Sequence, residues 1–410
     1  MRHRARSHES AHADSPGGSG DGGRPMSHPL VCPAPAEMVT APTELSRLLA
    51  ALKAAGSFAF DTEFIGEQSY VPRLCLIQVA TSDRVALIDP LAGLDVTPFW
   101  ELVCDASVEK IVHAGQQDLE PTYRLLGKVA ANVLDVQVAC AFVRLPYPLS
   151  LSKLVGELVG AKLGKGLTFT SWDQRPLSSQ QMRYAADDVR YLPAARQELR
   201  VRLEAAGHTA WAGEESALLC SESTCRFDPD ENFLKIRGAG SLDPANLAVL
   251  RELAIWRDAA AREADVPPRT FLQDELILAL ARNPAKAVER LGRVRGLPRP
   301  VETQHGDRIV AATLAGLSRS ASDMAAFQQF EPSPREKFSC DSLWASAQAS
   351  LFSRGIDPGL VSSRQEIGEL WRVATANGDV DALRVMRGWR RGAVGGKLLE
   401  IIRQQAAEPG

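Results

Sequence analysis

No stretch of the 410-residue chain comes near eighteen uninterrupted apolar residues, so no membrane-spanning helix is expected. The N-terminal region has no long apolar run of the kind a secretory signal needs. Surplus charge is missing too. A net charge of −3 at pH 7 argues against a protein that coats nucleic acid through bulk charge, and leaves such contacts to local patches. The seven cysteines (Cys32, Cys75, Cys104, Cys140, Cys220, Cys225, Cys340) are odd in number and scattered. Several sit in apolar segments, where a reduced thiol behaves as a small hydrophobe. Cys220 and Cys225 have no second pair nearby, so a zinc site is not expected. These absences describe a reduced, cytoplasmic protein without a membrane anchor, expected to be a monomer.

What is present is ordinary globular composition, 45% hydrophobic and 24% charged, on a chain long enough for two or three domains. Residues 1–36, rich in Gly, Ser, Pro, Arg and His, read as a disordered tail; His3, His8 and His12 are better explained as solvated than as metal ligands. From Ala41 the pattern becomes regular. Leu45, Leu48, Leu49 and Leu52 give a helix over 42–55 that ends at Gly56. Strands are predicted at 58–64, 74–80, 85–89 and 110–113, with Asp83 in a hairpin link and Val133–Asp135 also extended. Helices are predicted at 97–104 and 116–126, and from there to about Leu203. This mixture points to an α/β domain over 37–215, a mixed sheet flanked by helices. Residues 216–242 read as a connector. Helical patterns then occupy 243–322 and 335–410.

Three acidic stretches organise the first domain: Asp61 and Glu63 within Phe60–Phe64, Asp118 after His113-Ala114-Gly115, and Tyr184 with Asp188 in Tyr184–Val189. Side chains alternate along a strand, so Asp61 and Glu63 share a face. Adjacent carboxylates repel and suit a buried strand poorly unless a cation holds them. Tyr184 and Asp188 are i and i+4 on one helix face. Four carboxylates and a phenol converging on one spot would form a site for hard divalent cations, which prefer oxygen ligands. Asp187 competes with Asp188, but only Asp188 keeps the i+4 relation to Tyr184. Asp135 suits a helix N-cap, and Asp89, before Pro90, suits turn chemistry.

In this order and spacing the motifs resemble those of the DEDD-type 3′-to-5′ exonucleases, in the tyrosine-bearing subclass. Ser171-Trp172-Asp173-Gln174-Arg175-Pro176-Leu177 followed by Tyr184-Ala185-Ala186-Asp187-Asp188-Val189 narrows the likeness to the ribonuclease D family. The resemblance implies a ribonuclease H-like fold and two-metal phosphodiester hydrolysis with Mg²⁺ or Mn²⁺, the ions about 3.5–4 Å apart. Asp61 would bridge both ions, Glu63 and Asp188 would complete the nucleophile-side metal, and Asp118 would serve the second. Tyr184, neutral with an ordinary pKa near 10, would aim the attacking water rather than deprotonate it. Residues 243–322 resemble an HRDC domain through Leu253, Trp256-Arg257-Asp258, Glu263, Pro267-Pro268, Asp274 and Gly296-Leu297. Residues 335–410 resemble a second, more divergent HRDC-like unit.

For substrate contacts the candidates are Phe64 and, after the Gly160–Gly166 stretch, Lys165, Trp172 and Arg175. These could grip a 3′-terminal nucleotide by phosphate contact and stacking. Alternatively Trp172 is core and Arg175 pairs with a carboxylate. Lys286, Arg290, Arg293, Arg295 and Arg299 form one basic stretch, and Arg384, Arg387, Arg390, Arg391 and Lys397 another; each could hold RNA or be a solvated face. The resemblance implies an exoribonuclease trimming RNA 3′ ends, tRNA precursors above all. A 3′-to-5′ exonuclease of single-stranded DNA and a catalytically silent nucleic-acid-binding protein are the alternatives.

Overall fold

The computed structural model describes residues 28–164, 166, 170–225, 228–320, 324 and 333–407. A six-stranded mixed sheet forms the centre, in the order β1-β4-β3-β2-β5-β6. The strands are β1 Glu37–Val39, β2 Ser57–Ile65, β3 Arg73–Ala80, β4 Val85–Ile88, β5 Glu109–Val112 and β6 Val133–Asp135. β2 is central, antiparallel to β3 and parallel to β5. The expected hairpin joins β3 and β4, closed by the Thr81 N–H on Arg84 O at 2.8 Å. β1 lies outside the predicted strands. It has only three residues, too few to show alternation, and exists because it pairs in parallel with β4.

Helices cover both faces of the sheet. α1 (Pro42–Ala55), α2 (Thr97–Val103) and α3 (Gln116–Leu126) bury Leu48, Leu52, Phe99, Trp100 and Leu119 against Phe58, Phe60, Ile77 and Val79. Aromatic rings from β2 and α2 meet edge to face, Phe60 and Phe99 at 5.7 Å, which is the favoured geometry for two quadrupoles. The other face carries α4 (Val136–Cys140), α5 (Leu151–Val159), α6 (Ser179–Arg190), α7 (Leu192–Ala206) and α8 (Thr209–Leu218).

Two expectations need correction. Residues 28–36 are not part of a loose tail: Cys32 is buried in the core, and Arg190 donates to the carbonyls of Cys32 and Ala34. Residues 1–27, with the three histidines, lie outside the described residues. The segment 216–242 is not a plain connector either. Its Phe233, Ile236, Ala239 and Leu242 are buried in the core of the helical unit that follows. That unit has its own apolar core, built on the helices Pro244–Glu263, Asp274–Arg282 and Arg299–Leu317. Inside it Arg257 is buried and donates to Leu272 O at 2.9 Å and Asp274 at 2.7 Å, so two of the expected HRDC positions form one ion pair.

The C-terminal helices, Pro334–Arg354, Arg364–Thr375 and Gly396–Ala407, do not close on a core of their own. Leu343, Leu351, Leu370, Trp389 and Leu398 belong to the same apolar cluster as Phe142, Leu154 and Leu199. The seam is pinned from α8. Glu215 accepts from Trp389 Nε1 at 2.8 Å and from Arg390 Nη2 at 2.6 Å, all buried. Trp389 also packs edge-on against Phe142 at 4.7 Å.

Candidate active site

The acidic residues enter from three elements whose placement follows from local chemistry. Asp61 and Glu63 sit on β2, opposite Gln78 and Leu76 of β3. A register shift follows at Glu63/Phe64, the kind of bulge that re-aims side chains beside a site. Asp118 is the third residue of α3, whose start is fixed by the turn before it. Ala114 has φ of 55°, and a Cβ on Gly115 would lie 2.5 Å from Val112 Cβ, so only glycine fits there. Asp135 then locks that turn, accepting from the N–H groups of Ala114 and Gly115 at 3.1 Å. It also caps α4 through Gln137 N at 2.8 Å, the N-cap role its position suggested. Tyr184 and Asp188 lie on α6, started by a Ser178–Gln181 capping box. Tyr184 stands one helical turn before Asp188, near enough for each to shift the other's proton affinity. Asp187 turns away to pair with Arg190 at 3.2 Å.

The five side chains meet. Burial, then the charges of Asp118, Asp188 and Glu63, push the Asp61 carboxyl well above the usual carboxylate range. Glu63 is pushed up to about 8 by burial and by Asp188 and Asp118. Asp188 rises to about 7, through burial and then Asp187. Burial also raises Asp118, against the pull of the hydrogen bond it accepts from Thr62. The Tyr184 hydroxyl is raised by burial and by Asp188, Glu63 and Asp61, so it is a neutral donor and not a base.

This arrangement fits divalent cations. The charges acting on Glu63 and Asp188 are all negative, and like charges at such a site repel unless a cation or a proton intervenes. Among the described residues no three His, Cys, Asp or Glu side chains are already arranged to hold a metal ion. Asp118 accepts from the Thr62 hydroxyl, and its charge acts on both Asp61 and Glu63.

The substrate candidates fare differently. Phe64 stays half-buried on β2 just past the bulge. Trp172 is core, packed with Cys75, Leu76, Leu87 and Leu177, and is not available to stack on a base. Arg175 is consumed internally: its N–H groups go to Asp89 at 2.6 and 2.7 Å, Cys75 O at 2.7 Å, Trp172 O at 2.7 Å and Gln174 O at 2.8 Å. A guanidinium has five donors, and none remains for a phosphate. Lys165 lies outside the described residues. A cavity of about 500 Å³ opens beside Tyr184 and Asp188, bounded by Leu151 and Leu163 and by Gln180, Arg183 and Asp187 of α6. Arg183 is exposed there. Sequence reading passed over it, although the helical spacing 180-183-184-187 places it on the face that carries Tyr184.

The two basic stretches also separate. Arg390 is buried on Glu215, Arg384 pairs with Glu366 at 3.2 Å and Arg391 with Asp381 at 2.7 Å. Of these only Arg390 is part of the core; Arg384 and Arg391 are exposed with paired heads, and Arg387 and Lys397 are exposed as well. Lys286, Arg290, Arg293, Arg295 and Arg299 are all exposed.

Residues 36–204 match the family described as 3′-5′ exonuclease, and residues 246–313 match the HRDC domain. Ribonuclease D of Gluconacetobacter diazotrophicus is 32% identical over 367 residues, covering 89% of this chain and 92% of that protein. The chain belongs to the ribonuclease D family. As a member it is a 3′-to-5′ exoribonuclease, and the fold of the ribonuclease D family implies dependence on a divalent metal. Ribonuclease D of Pseudomonas paraeruginosa is 34% identical over 84% of this chain and 91% of its own length. The structure of Escherichia coli RNase D, described as an exoribonuclease involved in structured RNA processing, superimposes with a TM-score of 0.76 at 28% identity. The match covers 91% of this chain and 99% of that one. The catalytic core of RRP6 from Trypanosoma brucei shares the fold, with a TM-score of 0.54 at 22% identity.

Proposed function

We propose that Asp61, Glu63, Asp118 and Asp188 hold two divalent cations, Mg²⁺ or Mn²⁺, and that the enzyme trims the 3′ ends of structured RNA, tRNA precursors above all. The observation that carries this reading is the gathering of four carboxylates beside a neutral tyrosine, where the charges of Asp118 and Asp188 raise the proton affinity of both Asp61 and Glu63. When bound, such ions supply an activated water and charge stabilisation at the phosphorus. The chain's residues do the rest. Asp61 would serve both ions, Glu63 and Asp188 one of them and Asp118 the other. Tyr184 donates through its hydroxyl and orients the attacking water. The cavity beside α6 takes the 3′-terminal nucleotide, Leu151 and Leu163 offering apolar surface to the base. The exposed cations from Lys286 to Arg299 offer phosphate contacts to the RNA body. All seven cysteines are free, and among the described residues no helix is long and apolar enough to cross a membrane; the proposal includes a cytoplasmic location and a monomer.

The test is digestion of 5′-labelled RNA with a tRNA body and a 3′ trailer, beside matched DNA, with Mg²⁺, Mn²⁺ or chelator. A ladder shortening from the 3′ end, lost with chelator and in Asp188→Ala, is expected. Tight RNA binding without shortening of either polymer would instead make the chain a silent binding protein.

A further inference from the structure

Gln78 is the least satisfied polar side chain near the site. It is fully buried in the centre of β3, and neither its amide nitrogen nor its amide oxygen has a hydrogen-bond partner. Buried amides are rarely left so, because desolvation is not repaid. Leucine or methionine would fill this position at no such cost. The sheet register says what the amide is beside. Gln78 is the cross-strand partner of Asp61 on one side and of Leu87 on the other. Directly opposed residues of an antiparallel pair project to one face, their Cβ atoms about 4.5–5.5 Å apart. Helix α6, which carries Tyr184 and Asp188, packs against both β2 and β3 and closes this face.

We infer that Gln78 is a positioning residue for Asp61, its amide supplying the hydrogen bond that Asp61 needs when it is a fully charged cation ligand. This rests on the reading of Asp61 as a metal ligand. A carboxylate that coordinates through one edge still has lone pairs facing the protein, and on that side Asp61 has the fully buried Gln78 across the strand pair. The neighbouring charged side chains are carboxylates and cannot donate. Gln78 Nε2 can, directly or through one buried water that also satisfies Oε1. Partners of this kind around metal ligands are worth about 10- to 100-fold in metal affinity.

The experiment compares wild type, Gln78→Met, Gln78→Leu and Gln78→Asn, with Asp188→Ala as control, reading thermal unfolding and Mn²⁺ binding by electron paramagnetic resonance without RNA. Gln78→Met is expected to fold with a Tm at or above wild type, since two orphaned atoms are removed. It should bind Mn²⁺ about 10- to 100-fold more weakly, with kcat falling and the KM for RNA unchanged. Gln78→Asn, which keeps a shorter amide, should recover part of the affinity. Unchanged Mn²⁺ affinity in a folded Gln78→Met overturns the inference and leaves Gln78 a tolerated packing residue. If neither apolar variant folds, the amide is a structural bond, and the inference falls as well. If wild type binds Mn²⁺ no better than Asp188→Ala, the metal-ligand reading itself has failed.

Discussion

The two helical units that follow the exonuclease sheet are attached by opposite physics. The HRDC unit closes on its own apolar core and meets the exonuclease domain through a polar latch. There the Tyr70 hydroxyl donates to Asp258 at 2.8 Å and accepts from Arg262 at 2.9 Å, while Tyr70 N–H donates to Asp265 at 3.1 Å. The C-terminal unit has no boundary of that kind. Its leucines continue the exonuclease core, and its Trp389 and Arg390 converge on Glu215 in a buried network. Polar contacts over exposed surface hold an orientation weakly, whereas shared apolar burial makes two segments one cooperative unit. Likeness of module therefore says little about independence. The HRDC unit is an attachment; the C-terminal unit is part of the catalytic fold.

Calorimetry can break that comparison, since it requires two transitions, one for HRDC and one for everything else. The largest effect is expected from Glu215→Ala, which strands the buried Arg390 charge and should cost about 3–5 kcal/mol. That loss should appear only in the transition containing the sheet. A smaller shift, about 2 kcal/mol for a lost charge-assisted bond, is expected for Arg257→Ala, and only in the HRDC transition. Movement of both transitions in either variant would show that the units unfold together.

Next comes pH, which should act on the sheet transition alone. In the metal-free protein Asp188 titrates near 7 and Glu63 near 8, above the unfolded values near 4. The native state thus holds more protons than the unfolded chain between about pH 4 and 8, and stability falls as pH rises through that window. A Tm series from pH 5 to 8.5 with chelator should decline. Added Mn²⁺ should lift the alkaline end most, because cation and protons compete for the same oxygens. The smallest effect belongs to Tyr70→Phe, worth about 1 kcal/mol of docking, with neither transition moving. Small-angle scattering should show a wider spread of HRDC positions, and the KM for a tRNA-sized substrate should rise more than that for a short oligonucleotide.

The sequence made some of this legible because the periods are short. Asp61 and Glu63 are two residues apart on a strand, and Tyr184 and Asp188 four apart on a helix, so local geometry puts each pair on one face. Asp118 needed only the cramped turn at Gly115. Distant pairings did not announce themselves. Arg175 reads equally as a phosphate contact or as a carboxylate's partner until five acceptors surround it. Glu215 lies beyond the helices predicted to about Leu203 and carries no signal until Arg390, 175 residues on, is placed beside it. Gln78 reads as a polar residue in an apolar strand, and only the register sets it against Asp61. The three residues of β1 carry no pattern at all.

The shared core also has a consequence for synthesis on the ribosome. The face formed by Phe142, His208 and Trp211 is complete once α8 has emerged, yet its cover, Trp389, lies about 170 residues later in the chain. At roughly 5–20 residues per second that interval is about 10–30 s. Throughout it the nascent domain presents bare apolar surface, while the HRDC unit, with a core of its own, can fold in between. A pause or premature stop before Trp389 leaves a chain with every acidic residue of the site in place and an aggregation-prone flank.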